Sequence, residues 1–202
     1  MRKGFICSAI SLILATAAVP AFAQSAGTWT LGVGVHQVDP QSDSGVDGLD
    51  VDSSVRPTIT GEYFIADNLG IEVLAALPFE HDIDVDGAGT VGSTKQLPPT
   101  VSLQYHFNSA GTVSPFIGAG LNYTTFFSED TEGALQGADL KLDDSWGLAA
   151  HAGLDFAIGQ KGAIRIDVRW IDIDADASVN GAKLGTVEID PLVYGAAYVF
   201  KF

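Results

Sequence analysis

A hydrophobic repeat of two that runs into the chain's last residue constrains this sequence more than any other feature. In the closing stretch LVYGAAYVFKF, the large groups of Leu192, Tyr194, Tyr198, Phe200 and Phe202 share one parity, with smaller residues or Lys201 between. Successive side chains of an extended strand point to opposite faces, so the pattern describes a strand with one oily face and one different face. An aromatic at the end of the oily face suits a barrel strand that closes at a lipid–water boundary.

Residues 29–35, 55–65, 69–79, 97–107, 113–127, 146–158 and 164–170 keep the same period, and 188–202 makes the eighth segment. With their ends included they reach about nine residues or more, the length of a tilted membrane-crossing strand. The opposite parity differs in character: Thr30 and His36, then Glu62 and Phe64, Glu72 and Leu74, Gln104 and His106, Gly118 and Gly120, Asp155, and Arg165, Asp167 and Arg169. Aromatics gather near the ends of the oily face, at Trp29, Tyr63, Phe79, Phe107, Phe127, Trp146, Phe156, Trp170 and Phe202, as interfacial girdles do. Short connections (67–68, 108–111, 159–161) alternate with long ones (38–54, 80–94, 128–144, 171–187). Outer-membrane barrels have tight periplasmic turns and long outer loops, whereas a soluble sandwich has no reason to sort its connections. The expected fold is all-β, an eight-stranded antiparallel up-and-down transmembrane β-barrel with both termini in the periplasm.

Targeting agrees. Arg2 and Lys3 precede an apolar run, broken at Pro20 and followed by Ala21-Phe22-Ala23. This is the pattern of a secretory signal cleaved after residue 23, leaving residues 24–202 as one barrel domain. Cys7, the single cysteine, lies inside that signal and ahead of most of its apolar run, unlike a lipid-attachment cysteine. The exported chain then has no disulfide to draw on. A net charge of −15 argues against nucleic acid as a partner, because phosphate binding needs clustered cations.

The strings ADNLGIEVLAALPFEHDI, GSTKQLPPTVSLQYHF, PFIGAGLNYTTFF, DSWGLAAHAGLDF, DVRWIDIDADA and IDPLVYGAAYVFKF occur in one order from Ala66 onward. In them the chain resembles the OmpW family of small outer-membrane proteins; the first two strands fit more loosely. The resemblance implies an outer-membrane location and a narrow, largely hydrophobic internal path for small hydrophobic molecules, with lateral release through the barrel wall. It also places Leu74 at the narrow, greasy part of that path. Arg169 stands where some relatives have a bulky aromatic.

An eight-stranded barrel is just wide enough to be filled by its own side chains or to hold one small ligand. The inward charges Glu62, Glu72, Asp155, Arg165, Asp167 and Arg169 must pair if buried, and read either as a salt-bridged plug or as an ion-conducting constriction. Leu74, Phe64, Phe116 and Phe126 are the candidate hydrophobic path, with Leu74, Phe116 and Phe126 expected towards the extracellular end beside Val38. Pro78, Pro98 and Pro99 remove ladder donors, so they mark either a lateral exit between the third and fourth strands or ordinary strand ends and bulges. Tyr198, Phe200 and Phe202 are the candidate C-terminal signal for the barrel-assembly machinery. The bilayer, lipopolysaccharide and small hydrophobic solutes are the other expected partners.

The acidic runs 47–52, 82–87 and 172–176 imitate the opening of a calcium loop, but the second has Ser93 where a bidentate glutamate belongs. They read as solvated loops, or as weak binders of divalent cations shared with lipopolysaccharide, so neither a dedicated metal site nor a cofactor is expected. His36, His81, His106 and His151 are scattered and no hydrolase or metalloprotease motif occurs, so catalysis is not expected. The rival to transport is a closed structural or interaction barrel serving envelope stability, adhesion or reception.

Overall fold

In the computed structural model the described residues are 24–41, 49–85 and 87–202. The expected signal, residues 1–23, and the Asp47 and Asp86 positions of two acidic runs lie outside them. Eight strands form the wall: β1 (Trp29–Asp39), β3 (Ser54–Ala66), β4 (Leu69–Ala76), β7 (Thr100–His106), β8 (Val113–Thr131), β10 (Ser145–Ile158), β11 (Gly162–Ile171) and β14 (Leu192–Lys201). Each pairs antiparallel with its neighbours, and the β14–β1 ladder, from Thr30↔Lys201 to Asp39↔Leu192, closes the barrel. Closure leaves no free edge, the condition for a sheet to sit in hydrocarbon.

Burial alternates along the wall as the period of two requires. On β11 the sequence Ile164-Arg165-Ile166-Asp167-Val168-Arg169-Trp170 alternates exposed apolar with buried charged side chains. Leu31, Val33, Ile59, Val73, Leu103, Ile117, Leu148 and Ile166 are among the side chains that face outward along the wall. A lysine or arginine there would cost about 2–4 kcal/mol at the bilayer midplane. Paired aromatics mark both borders of this band: Trp29 with Tyr63, ring centroids 4.7 Å apart, near the short turns, and Tyr123 with Trp146, 4.8 Å apart, near the other end.

The long connections are not irregular loops. They contribute β2 (Leu49–Val51), β5 (Phe79–Val85), β6 (Gly89–Leu97), β9 (Leu140–Leu142), β12 (Asp174–Val179) and β13 (Ala182–Glu188). Along these extensions the outward positions turn polar, with Glu80 and Asp82 on β5 and Asp174 and Asp176 on β12, so they stand beyond the lipid band. Asn180 and Gly181, both at positive φ, make the tight β12–β13 turn, the geometry that matches a hairpin's twist. Asp82 and Asp84 lie on strand β5, not in a cation-binding loop.

Three expected strands are interrupted. The segment 69–79 breaks at Leu77-Pro78, 97–107 breaks at Pro98-Pro99, and 188–202 breaks between Glu188 and Leu192. At Pro78 the missing donor stops the ladder and the alternation inverts, which turns Phe79 inward; it is 2 % exposed and no part of the lipid-facing girdle.

Candidate functional site

The lower half of the barrel, towards the short turns, is filled by one ion-paired network. Arg165 reaches across from β11: its Nε and Nη2 donate to Asp155 at 2.7 and 2.9 Å, and Nη1 donates to Glu72 Oε2 at 2.7 Å. A further approach of 3.6 Å joins it to Glu62. Arg169 bridges Glu72 and Asp167, both at 2.7 Å. All six charged residues named in the sequence therefore meet in one buried cluster, each no more than 8 % exposed. Forked guanidinium–carboxylate pairs are among the strongest hydrogen bonds available, and they offset a desolvation cost of several kcal/mol per ion.

Histidine, amide and hydroxyl groups complete the cluster. His106 Nε2 lies 3.0 Å from Glu62, Gln104 Nε2 donates to Glu62 at 3.0 Å, and Gln104 Oε1 lies 2.8 Å from His151 Nε2. His36 lies 3.4 Å from Asp167 and 2.6 Å from the Thr58 hydroxyl. At the bottom, the buried Gln24 side chain donates to Asp155 and accepts from Ser114, each at 3.3 Å. Inward glycines make the room: a Cβ at Gly70 would strike the Glu62 carboxylate, and one at Gly195 would strike His36.

Phe64 and Phe116 belong to this level rather than to an upper funnel. The His106 ring stands 5.4 Å from each of them, and Arg165 lies 4.4 Å above the Phe116 ring. The expectation that Phe116 sits towards the extracellular end is corrected, because it pairs with His106 and Gly153 near the short turns. Leu74, one inward step beyond Glu72, begins the apolar part. Beyond it Phe126 joins Val38, Phe79, Ile171, Ile173, Val187 and Val193 in a buried cluster.

Beyond that cluster, between the β5–β6 and β9–β12–β13 extensions, lies an apolar chamber of about 140 Å³. Ile83, Val91, Leu140, Val187 and Phe126 are among its walls, with the exposed Leu184 at its rim. Most of these residues come from segments expected to be loops. The alternation Phe79-His81-Ile83-Val85 and the Asn180-Gly181 pair were the signals that mark them as strands. His81 and Gln96 stand at the chamber's base, 2.9 Å apart.

Burial holds the His81 pKa below its ordinary 6.5, with Arg56 adding to the effect and a backbone hydrogen bond to Asp52 opposing it. A group whose folded pKa is depressed takes up its proton more readily when unfolded. Its contribution is therefore complete above about pH 6.5 and is lost as pH falls from there towards the folded value. The protection of the Ile83 and Gly92 amides, which pair across β5 and β6, is expected to fall between about pH 7.5 and pH 5, once the slower intrinsic exchange at lower pH is divided out. A His81→Gln variant should lack that dependence; an unchanged slope would mean another group is responsible.

Beside the chamber the wall is interrupted. The register between β4 and β7 ends at Leu74↔Thr100, and that between β5 and β6 starts at Phe79↔Gln96. Residues 75–78 thus face 97–99 without a paired register. Each side stays anchored to its other neighbour: Leu77 N donates to Pro57 O at 3.1 Å, and Tyr123 N to Pro99 O at 3.1 Å. Pro78, Pro98 and Pro99 all lie at this seam.

At the outer rim, carboxylate oxygens of Asp172, Asp174 and Asp190 lie within 4.8 Å of one another. Burial and its two acidic neighbours raise the Asp174 pKa. At the C-terminus, the Tyr198 and Phe200 rings stack edge-on at 4.6 Å on the lipid face, and Phe202 is exposed beyond them.

The chain as a whole is similar to known outer-membrane proteins. The OmpW family model matches residues 26–202. Outer membrane protein W of Vibrio cholerae is 38 % identical, over 99 % of this chain and 100 % of its own length. The dibenzothiophene metabolism operon protein PahQ of Pseudomonas aeruginosa is 30 % identical over 100 % of both chains. The crystal structure of the outer membrane protein OprG from Pseudomonas aeruginosa superposes with a TM-score of 0.81 at 34 % identity, covering 90 % of this chain and 99 % of that one.

Proposed function

Since the chain belongs to the OmpW family and is a β-barrel of the bacterial outer membrane, we propose that it takes up small hydrophobic molecules from outside and releases them sideways into the bilayer. The observation that carries this reading is a juxtaposition. An apolar chamber lies above a barrel interior closed by buried ion pairs, and the ladder is interrupted between the two. An apolar solute entering the chamber meets desolvated charge if it moves straight down, which is unfavourable without compensating hydrogen bonds. The seam at Pro78 and Pro98–Pro99 offers the other way out. A strand pair lacking ladder bonds separates there without breaking any.

In this reading Leu74 and Phe126 line the apolar path. Glu62, Glu72, Asp155, Arg165, Asp167 and Arg169 form the plug, flanked by Phe64 and Phe116. One relative is named for the metabolism of dibenzothiophene, an apolar aromatic. Exposed carboxylates above the lipid band suit divalent-bridged contact with lipopolysaccharide. The aromatic C-terminal strand through Tyr198, Phe200 and Phe202 suits recognition by the barrel-assembly machinery.

Leu74→Asp places a carboxylate at the lower end of the seam, where the β4–β7 register stops at Leu74↔Thr100. Uptake of a small apolar solute into vesicles containing this variant is expected to fall roughly tenfold or more. Single-channel conductance should be negligible in both proteins. Uptake unchanged from the parent protein would favour a closed structural or interaction barrel instead.

A further inference from the structure

Residues 77–80, one edge of the seam, are held by side chains where the backbone cannot hold them. The β3–β4 register ends at Thr58↔Ala76, and pairing between β2 and β5 resumes only at Val51↔Ile83. In between, Leu77 N donates to Pro57 O at 3.1 Å. A regular antiparallel pair exchanges two such bonds, but a proline has no N–H to return. Carrying the register two steps past Thr58↔Ala76 sets Arg56 opposite Pro78. There the guanidinium supplies donors in place of the ladder: Arg56 Nε donates to Pro78 O at 2.9 Å, and Nη2 to Glu80 Oε2 at 3.4 Å. Glu80 Oε1 lies 3.9 Å from Nζ of Lys95, its cross-strand partner on β6. The Glu80 contacts join partly exposed side chains and add little. The bond to Pro78 O is the stronger one, because its donor is charged and its surroundings are part-buried. The other edge of the seam has its own anchors, Thr100 Oγ1 to Pro98 O at 3.2 Å and Asn122 Nδ2 to Pro99 O at 3.3 Å. Among the described residues no side-chain hydrogen bond crosses from 75–78 to 97–99.

We propose that Arg56 is a positioning residue for lateral release: it ties the Pro78 edge of the seam to β3, and so fixes how wide the exit opens. The proposal rests on the uptake reading above and deepens it, by naming the side chain that sets the size limit. The wall around residues 77–80 lapses on two sides, and only the side towards β3 carries a side-chain staple. It therefore parts on the other side, towards Pro98 and Pro99, while the Pro78 edge stays in place. Without the guanidinium, that edge keeps the single backbone bond from Leu77 to Pro57 on its β3 side. It then moves away from residues 97–99, and the gap passes solutes that the parent protein holds back. A lysine at position 56 keeps a cationic donor for Pro78 O but loses the fork that reaches Glu80 as well.

Two readouts on the reconstituted full barrel test this. In Arg56→Met, exchange of the Leu77 amide is expected to speed up about tenfold or more, the range of one hydrogen bond from a charged donor. Uptake of naphthalene relative to toluene is measured in vesicles with a lipopolysaccharide outer leaflet, with protein-free vesicles subtracted. That ratio should rise about three- to fivefold in Arg56→Met and stay within about twofold of the parent value in Arg56→Lys. Glu80→Gln, which leaves the bond to Pro78 O in place, should change it less than about twofold. If Arg56→Met does not assemble, Arg56→Gln carries the same expectation. Faster Leu77 exchange with an unchanged ratio, both solutes still being taken up, would make Arg56 merely structural; it would overturn the proposal and leave the uptake reading standing. No protein-dependent uptake of either solute by the parent protein would overturn both.

Discussion

Arg165→Met is expected to lower the stability of the folded barrel by about 3–5 kcal/mol, the range found when one partner of a buried charge pair is removed. The methionine nearly fills the volume but donates nothing. Asp155 loses a two-pronged partner at 2.7 and 2.9 Å, and Glu72 loses one of its two guanidiniums. Glu62 loses the approach at 3.6 Å and keeps Gln104 and His106. Urea unfolding in lipid vesicles, followed by the fluorescence of Trp29, Trp146 and Trp170, measures the loss. Adding Asp155→Leu to the same chain should recover much of it, because an uncompensated carboxylate is then absent. A loss below about 1 kcal/mol would mean that water reaches these ions, and the interior would not be a plug.

The second large effect concerns the seam. Replacing both prolines, as Pro98→Val with Pro99→Val, returns two N–H donors; that of residue 99 lies on the β8 side, where Pro99 O already accepts from Tyr123 N, and that of residue 98 faces residues 75–78, where the register now lapses. The ladder is expected to extend across the gap, and uptake of a small hydrophobic solute is expected to fall about tenfold, with stability unchanged or slightly higher. Pro115→Val is the matched control. Pro115 pairs with Leu154 near the short turns, far from the seam, and its removal should leave uptake as it was. Uptake that survives the double replacement would remove the lateral exit from the proposed path.

Much of the barrel was legible in the residues themselves. A strand's side-chain period is two whatever it packs against, so the alternation on β11 and β14 states which face meets lipid before any partner is known. The alternation of short and long connections likewise reports the strand count and direction. Even the membership of the charge cluster follows, because Glu62, Glu72, Asp155, Arg165, Asp167 and Arg169 all occupy the enclosed parity and burial obliges them to pair. Local pattern carried less at the prolines. That Pro78 interrupts a ladder is readable, but not that the alternation inverts there and buries Phe79.

By itself, then, the sequence determined the lipid-facing band, the inward charge and the residues that lack a ladder donor, since each depends on neighbours one to a few residues away. Only the tertiary structure decided which partners those charges take: Arg165 meets Glu72, 93 positions away, because closure sets β4 across the lumen from β11. It likewise decided the height of Phe116 and the existence of the chamber. Those depend on strand stagger and on how the extensions fold over one another, and no local period encodes contacts between segments brought together by closing the sheet.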